Sequence, residues 1–192
     1  MRGALALSFL LLSGTAQAVT PPAKPPSQPT PQKVESEEKL FAQLKQCSSA
    51  DDAHPIEAKL QAMFRASKSP SIDLLMTRAL AAQGAGDGKI ARQLAEAVTN
   101  IAPNYAEGWH MRATLEQGAG DDTAALVSLQ KTVLLNPRQF TALGELADML
   151  RDYGDKAGAL KLYRRALDID PQLEGATQKV RELTQSVEGR DI

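Results

Sequence analysis

The feature that most constrains this chain is a pattern that recurs every 34 residues. Each copy has a large apolar residue, an alanine, a glycine–aspartate pair, a second alanine, a further apolar residue and a proline. The middle copy contains Trp109, Ala113, Gly120, Asp121, Ala125, Leu129 and Pro137. The earlier copy contains Leu75, Ala79, Gly86, Asp87, Ala91, Ala95 and Pro103, and the later copy contains Leu143, Ala147, Gly154, Asp155, Ala159, Tyr163 and Pro171. A fixed period of this length indicates a stack of similar units.

Each copy is long enough for two helices that meet at the glycine–aspartate pair. The glycine supplies the left-handed backbone angle on which helices often end. The aspartate then caps the free amides of the second helix, and the proline ends the copy because it cannot continue a helix. The alanines allow the two helices to approach closely. Each copy is therefore predicted to be a helical hairpin that cannot bury its apolar face alone.

These three copies resemble the tetratricopeptide repeat (TPR), with repeats over 72–105, 106–139 and 140–171. The chain is also similar to short exported TPR proteins of Gram-negative bacteria. The resemblance implies an all-α, right-handed superhelical stack of hairpins whose concave face binds a protein or an extended peptide. It implies no catalytic activity.

The regions on either side of the repeats are predicted to cover the ends of the stack. Residues 36–71 read as a degenerate N-terminal hairpin, with helices over 36–46 and about 52–67, that caps the first repeat. Pro70 is interpreted as the end of this hairpin, because it follows Ala58 by the same twelve residues that separate Ala91 from Pro103. Residues 172–187 read as a C-terminal capping helix. Terminal units of such stacks are expected to be atypical, since one of their faces meets water.

The first 35 residues have the composition of an export signal followed by a linker. Residues 1–18 combine Arg2, a short apolar run and an Ala-Gln-Ala cleavage site, which predicts a signal peptide and a periplasmic or secreted protein. No stable membrane insertion is expected after cleavage, and an uncleaved anchor is the alternative. Residues 19–35 contain six prolines and predict an extended linker, with a ligand for a proline-binding groove as the alternative.

The composition argues against several other functions. The net charge is −1 and the Lys and Arg residues are scattered, so no nucleic-acid partner is expected. Two histidines and one cysteine provide no metal-ligand spacing, so we expect that the protein binds no metal or cofactor and is not an enzyme. The glycine-rich stretch 84–89 lacks the residues of a phosphate-binding loop and is interpreted as a hairpin turn. Cys47 is expected to be buried in the hairpin, with an intermolecular disulfide as the alternative.

The resemblance also implies which residues line the concave groove. Position by position, these are Asp73, Met76, Leu80, Gln83, Glu107, His110, Thr114, Gln117, Thr141, Gly144, Asp148 and Arg151. His110 is expected either to contact a ligand or to face solvent. Arg78 and Arg112 share one repeat position among apolar residues and are expected to form half-buried inter-helix ion pairs, with anchoring of an acidic ligand as the alternative.

The predicted function is that of a periplasmic adaptor or scaffold that holds a segment of a partner protein in the groove. The paired Lys and Asn of carboxylate-clamp TPR domains are missing from the groove positions, so a clamp-type co-chaperone role is not supported. A self-associating structural module of the cell envelope, in which chains pair as a homo-oligomer through the open ends of the stack, is the alternative.

Overall fold

The computed structural model of the protein describes residues 31–189, which form nine α-helices and no strand. The helices are α1 (Pro31–Gln46), α2 (Ala50–Arg65), α3 (Pro70–Gly84), α4 (Gly88–Ile101), α5 (Ala106–Gly118), α6 (Asp122–Leu135), α7 (Phe140–Asp152), α8 (Lys156–Ile169) and α9 (Ala176–Glu188). The predicted all-α stack of helical hairpins is confirmed. The predicted signal peptide and the predicted linker up to residue 30 lie outside the described residues.

The turn within each repeat has the geometry that the glycine–aspartate pair predicts. The three glycines have positive φ angles: 78° at Gly86, 76° at Gly120 and 87° at Gly154. Each following aspartate caps the next helix, where its carboxylate accepts a hydrogen bond from a backbone N–H three residues later. The backbone N–H of that aspartate also bonds to the carbonyl five residues earlier, which satisfies a free carbonyl at the end of the first helix.

The stack is held together by small residues where helices cross and by larger apolar residues around them. The repeat alanines are at most 1% exposed: Ala79, Ala91, Ala113, Ala125, Ala147 and Ala159. The largest cluster joins the second and third hairpins through Leu129, Leu143 and Leu146, and a second cluster places α9 on the third hairpin through Tyr163 and Leu183. No helix within residues 31–189 has the length and apolarity needed to cross a membrane.

Three predicted boundaries are wrong, two of them at prolines. Helix α1 begins at Pro31, so 31–35 are helical although they were predicted to be linker. Helix α3 begins at Pro70, which was interpreted as the end of the preceding hairpin. Proline suits the first turn of a helix, where its missing N–H needs no partner. Helix α9 begins at Ala176, because Gly175 adopts the left-handed conformation with a φ of 70°.

The prediction that residues 36–71 cover the end of the first repeat is also wrong. In the second and third repeats, the preceding hairpin covers one face of the first helix. The equivalent face of α3 consists of Leu74, Arg78 and Ala81, and all three are exposed, Leu74 to 52%. Within the described part of the chain, this end of the stack is uncovered.

The α1–α2 hairpin instead lies along the loops that connect successive repeats. Arg65 accepts a hydrogen bond at its carbonyl from the Tyr105 hydroxyl (2.7 Å). One turn earlier on α2, the Gln61 amide donates to Thr141 Oγ1 (3.1 Å). At the end of α1, the Cys47 carbonyl accepts from the Gln172 side chain (3.1 Å). The hairpin therefore crosses all three repeat junctions.

An aromatic cluster fixes this position of the hairpin. Phe41, Leu44, Leu60 and Phe140 are buried together, and Ile169 and Leu173 pack against them. Phe64 lies between two other rings, with ring centroids 6.2 Å from Phe41 and 6.5 Å from Phe140. The Arg138 guanidinium stacks 3.5 Å above the Phe41 ring and forms an ion pair with Glu38. The apolar face of the hairpin is thus covered by the third repeat, which explains why the end face of α3 is left open.

Candidate functional site: a groove between the hairpin and the first repeat

A cavity of about 310 Å³ separates α2 from the concave side of the first repeat. Its walls are formed by Ala62, Arg65 and Ala66 at the end of α2 and by Asp73, Met76, Thr77 and Leu80 of α3. We refer to this cavity and its walls as the α2–α3 groove. It contains three of the residues that the resemblance placed on the concave face: Asp73, Met76 and Leu80. Leu80 remains 47% exposed, whereas Met76 is 6% exposed and forms the floor.

The mouth of the groove is fixed by the turn between α2 and α3. Asp73 accepts hydrogen bonds from the Ser67 hydroxyl (2.6 Å) and from the Ser67 backbone N–H (3.1 Å). Lys68 in the same turn has a positive φ of 65°, which is uncommon for a residue other than glycine. Asp73 therefore positions the turn.

Arg65 is the cation of the groove. Its side chain is exposed and forms no salt bridge with a carboxylate of residues 37–189. Its carbonyl accepts from Tyr105, and burial raises the pKa of that phenol, with the nearby carboxylates of Glu107 and Asp73 adding to the effect. The groove thus combines an apolar floor with an exposed positive charge at its rim.

The concave side of the second and third repeats is closed by side chains of the protein itself. His110 of α5 bonds through Nε2 to Glu145 Oε2 of α7 (2.8 Å), and its Nδ1 lies 3.7 Å from Glu107 Oε1. Burial lowers the pKa of His110, but the hydrogen bonds and charges of Glu107 and Glu145 outweigh burial and raise it to about 10. His110 is therefore a cation at neutral pH, held between two carboxylates. It joins α5 to α7, so neither the ligand contact nor the solvent-facing role predicted for it describes its position.

The polar network continues from Glu107 to the hairpin. The Gln139 amide, which is 1% exposed, donates to Glu107 Oε2 (3.1 Å), and Thr141 donates to Gln139 Oε1 (3.0 Å). Gln61 of α2 donates to Thr141 in turn. Thr141, which was predicted to line the groove, is therefore covered by α2.

The last two predicted groove residues form ion pairs beside α9. Asp148 accepts from Lys179 Nζ (2.7 Å) and from the Tyr163 hydroxyl (2.5 Å), and it pairs with Arg151 (3.1 Å). Arg151 also pairs with Asp152. Burial, together with the bond to Asp148, raises the pKa of Tyr163. These contacts attach α9 to the third repeat and occupy Asp148 on both sides.

The remaining predicted groove residues, Gln83, Thr114 and Gln117, are exposed at the ends of α3 and α5. Thr114 bonds to the carbonyl of His110 within its own helix. Gly144 is buried, and a side chain there would meet Leu173. The predicted concave residues are thus divided among an open groove at the first repeat, an exposed edge and a closed polar interior.

The two arginines at the shared repeat position have different surroundings. Arg112 is half-buried, pairs with Glu116 (2.6 Å) and lies 5.5 Å from the Trp109 ring centroid. Glu116 accepts from Ser128 of α6 (2.6 Å), so the expected ion pair exists but its carboxylate is on the same helix. Arg78 is exposed on the open end of α3, and the predicted burial of Arg78 is wrong because no hairpin covers that face.

The α2 side of the groove was not predicted from the sequence. Ala62, Arg65 and Ala66 were assigned to a hairpin that caps the N-terminal end of the stack, and their pattern alone does not show which surface α2 meets. Glu145 and Lys179 were also missed as partners of predicted groove residues.

Cys47, expected to be buried, is half-buried against the aromatic cluster, and its thiol bonds to the Gln43 carbonyl (3.4 Å). Among the described residues, no three His, Cys, Asp or Glu side chains are arranged to hold a metal ion.

Sequence comparison identifies the family. No protein-family model matches the chain. A TPR repeat-containing protein of Rhizobium etli is 30% identical to it over 152 residues, which are 79% of this chain and 74% of that protein. The chain therefore belongs to the TPR repeat-containing proteins, as the repeat pattern predicted.

Solved structures show the same fold at low sequence identity. MamA matches with a TM-score of 0.56 and 16% identity over 85% of this chain and 86% of that chain. The first TPR domain of Spaghetti (RPAP3), bound to an HSP90 peptide, matches with a TM-score of 0.56 and 18% identity over 61% and 93%. The Yersinia enterocolitica type III secretion chaperone SycD, in complex with a peptide of the translocator YopD, matches with a TM-score of 0.51 and 14% identity over 63% and 92%.

Proposed function

We propose that this protein is an adaptor that binds an extended segment of a partner protein in the α2–α3 groove. The observation that carries the proposal is the groove itself: an apolar floor at Met76, an exposed Leu80 and an exposed Arg65 at the rim. An apolar side chain of the partner would cover Leu80, and a nearby carboxylate would pair with Arg65. The partner is therefore a segment with an apolar residue next to an acidic one.

Two likenesses support a peptide as the ligand. The RPAP3 domain and SycD, which share this fold, are both described in complex with peptides. In this chain the concave side of the second and third repeats is filled by the His110 network and by α2, so the first repeat is the place left for a segment. The adaptor role includes the periplasmic location that residues 1–18 predict, and it requires no catalysis.

Capture of a partner by groove variants tests the proposal. The purified full chain and its Leu80→Arg and Arg65→Glu variants are crosslinked in a periplasmic extract, and captured proteins are quantified by mass spectrometry. Leu134→Arg is the matched control, because Leu134 is 72% exposed on α6 and lies outside the groove. A partner that both groove variants lose by tenfold or more, and that the control retains, supports the proposal. Equal capture by all four proteins would reject the groove as the binding site.

The open end of the stack favours self-association as a second candidate. Leu74, Arg78 and Ala81 of α3 are exposed where the equivalent faces of the other repeats are covered. A second copy of the chain would cover this face in a structural module of the cell envelope. Sedimentation velocity of the wild type and of Leu74→Glu distinguishes the two: a dimer that the substitution dissociates supports self-association, and a monomer at all concentrations rejects it.

A further inference from the structure

A buried carboxylate lies where α1 and α2 meet the end of the third repeat. Asp170 caps the end of α8 and is 0% exposed. Its Oδ1 accepts the backbone N–H of Gln172 (3.0 Å), whereas its Oδ2 has no hydrogen-bond donor among the described residues. A buried carboxylate oxygen without a donor is costly, so this atom requires an explanation.

The Glu57 carboxyl of α2 faces Asp170 within hydrogen-bonding distance. Two carboxylates in contact repel each other, but a carboxylic acid donates an O–H hydrogen bond to a carboxylate. A proton on this pair therefore turns a repulsive contact into an attractive one and gives the buried Asp170 carboxylate a hydrogen-bond donor.

The other titratable groups near the pair do not neutralise it. His54, one turn earlier on α2, faces both carboxyl groups, and Glu174 faces Glu57 from the loop before α9. From the junction of α1 and α2, Cys47 lies near both carboxyl groups and near Asp52. The acidic groups outnumber the single histidine, so deprotonation leaves an excess of negative charge between α2 and the loop.

The preceding repeat provides an internal comparison for Asp170. Asn136 occupies the equivalent position, and its Oδ1 accepts the Arg138 N–H (3.1 Å) in the same turn geometry. Both residues also donate their own N–H to a carbonyl of the preceding helix at 2.8 Å. The turn therefore forms with an amide side chain, and the local backbone does not require an acid at residue 170.

We propose that Glu57 and Asp170 share a proton, and that this shared proton fastens the α1–α2 hairpin to the third repeat in a pH-dependent way. When the pH rises, the proton passes to solvent, and the half-buried Glu57 carboxylate is left facing the buried Asp170 carboxylate. The N-terminal half of α2 then separates from the loop after α8. Burial, followed by the charge and hydrogen bond of Asp170, raises the pKa of Glu57 to about 7, which places the change near neutral pH.

This inference deepens the proposed function and rests on it for its consequence, because α2 is one wall of the α2–α3 groove. Glu57 and the groove residue Arg65 lie on one continuous helix, Ala50–Arg65. Loosening the first half of that helix changes the position of its last turn. The groove is therefore expected to be held closed on its α2 side at acidic pH and to widen as the pH passes through neutrality.

Hydrogen exchange measured by mass spectrometry on the full chain tests the shared proton without any partner. Protection factors, corrected for the intrinsic pH dependence of exchange, are compared between pH 5 and pH 8 for α2 and for α6 as an internal reference. In the wild type the protection of α2 is expected to fall by roughly ten- to a hundredfold, since an acid whose pKa is raised in the folded state loses that protection above its unfolded pKa. The protection of α6 is expected to change less than twofold.

Three variants decide the outcome. Asp170→Asn, which copies Asn136, and Glu57→Gln are each expected to abolish the pH dependence of α2 protection, whereas His54→Gln is expected to retain it. The proposal would be overturned if α2 of the wild type had the same protection at pH 5 and pH 8. It would also be overturned if either carboxyl variant kept the wild-type pH dependence of α2 protection, or if His54→Gln lost it. If Asp170→Asn does not fold, Glu57→Gln alone decides. If the protection of α2 does not change with pH but partner capture still depends on Leu80, the shared proton is rejected and the adaptor function is retained.

Discussion

Replacement of Phe140 by alanine tests how firmly the hairpin is attached to the repeats. Phe140 is the first residue of α7, is 1% exposed and packs in the aromatic cluster beside Phe64. The equivalent residue of the second repeat is Ala106, so the substitution restores a side chain that this repeat position accommodates. Its effect therefore reports mainly on the contact with the hairpin.

The expected loss can be estimated from the burial of the ring. Truncation of a buried phenylalanine to alanine costs about 3–5 kcal/mol in protein cores. Phe140 is buried between α7 and a two-helix hairpin that can shift toward the space left behind, so we expect a loss of about 3 kcal/mol, at the lower end of this range. If the hairpin were not attached at this site, Phe140 would be a surface residue and the loss would be within about 0.5 kcal/mol.

Urea unfolding followed by circular dichroism and by fluorescence of Trp109, the one tryptophan of the sequence, measures the loss. Leu134→Ala is the control, since this side chain is 72% exposed and its truncation is expected to change stability by less than about 0.5 kcal/mol. A Phe140→Ala variant as stable as the control would refute the attachment of the hairpin to the third repeat.

Four further substitutions test the caps, the half-buried histidine and the alanine contacts. Asp121→Ala removes the cap of α6 and is expected to reduce the free energy of unfolding by about 1 kcal/mol in the same urea assay. His110 has its pKa raised to about 10, so its charge stabilises the fold fully below its ordinary value of 6.5, and this contribution is lost as the pH rises through about 10. His110→Gln is therefore expected to be less stable than the wild type at pH 7 and to lose the decline in stability between pH 7 and 10; an unchanged decline would contradict the assignment. Ala147→Leu overfills a contact that is 0% exposed and is expected to cost about 1–3 kcal/mol or more, whereas Ala81→Leu on the open face is expected to be neutral by thermal unfolding, and equal effects would contradict the packing.

The repeats could be predicted because their signals are local. A glycine followed by an aspartate specifies the turn and the cap through the backbone of four or five residues, independently of the rest of the fold. The prolines were less informative, because proline both ends one helix and begins another. Pro70 was interpreted in the first sense and acts in the second.

The position of the α1–α2 hairpin could not be predicted in the same way, because an apolar stripe shows that a helix is covered but not by what. Two signals were present in the sequence. Phe140 stands where the second repeat has Ala106, which suggests an additional contact at this repeat. Ala81 makes the end face of α3 a poorer site for a capping hairpin than the equivalent faces of the later repeats, which have Leu115 and Met149 at this position.

Only part of the candidate site could be predicted, because the repeat pattern places residues on a face but does not show what covers that face. Asp73, Met76 and Leu80 follow from the repeat register, and they do line the groove. Whether the same register positions in later repeats are open depends on long side chains from neighbouring helices. Glu145 closes the space around His110, and Lys179 closes the space around Asp148, which no single-repeat pattern indicates.

Helix α2 lies across the repeat junctions and so forms one wall of the groove. Nuclear Overhauser contacts between phenylalanine rings test this position of α2, because the sequence has four phenylalanines and three of them belong to the aromatic cluster. We expect contacts between the ring protons of Phe64 and Phe140, whose centroids are 6.5 Å apart. Contacts between Phe64 and the Leu74 methyl groups, with none to Phe140, would show that the hairpin caps the first repeat and would refute this position of α2.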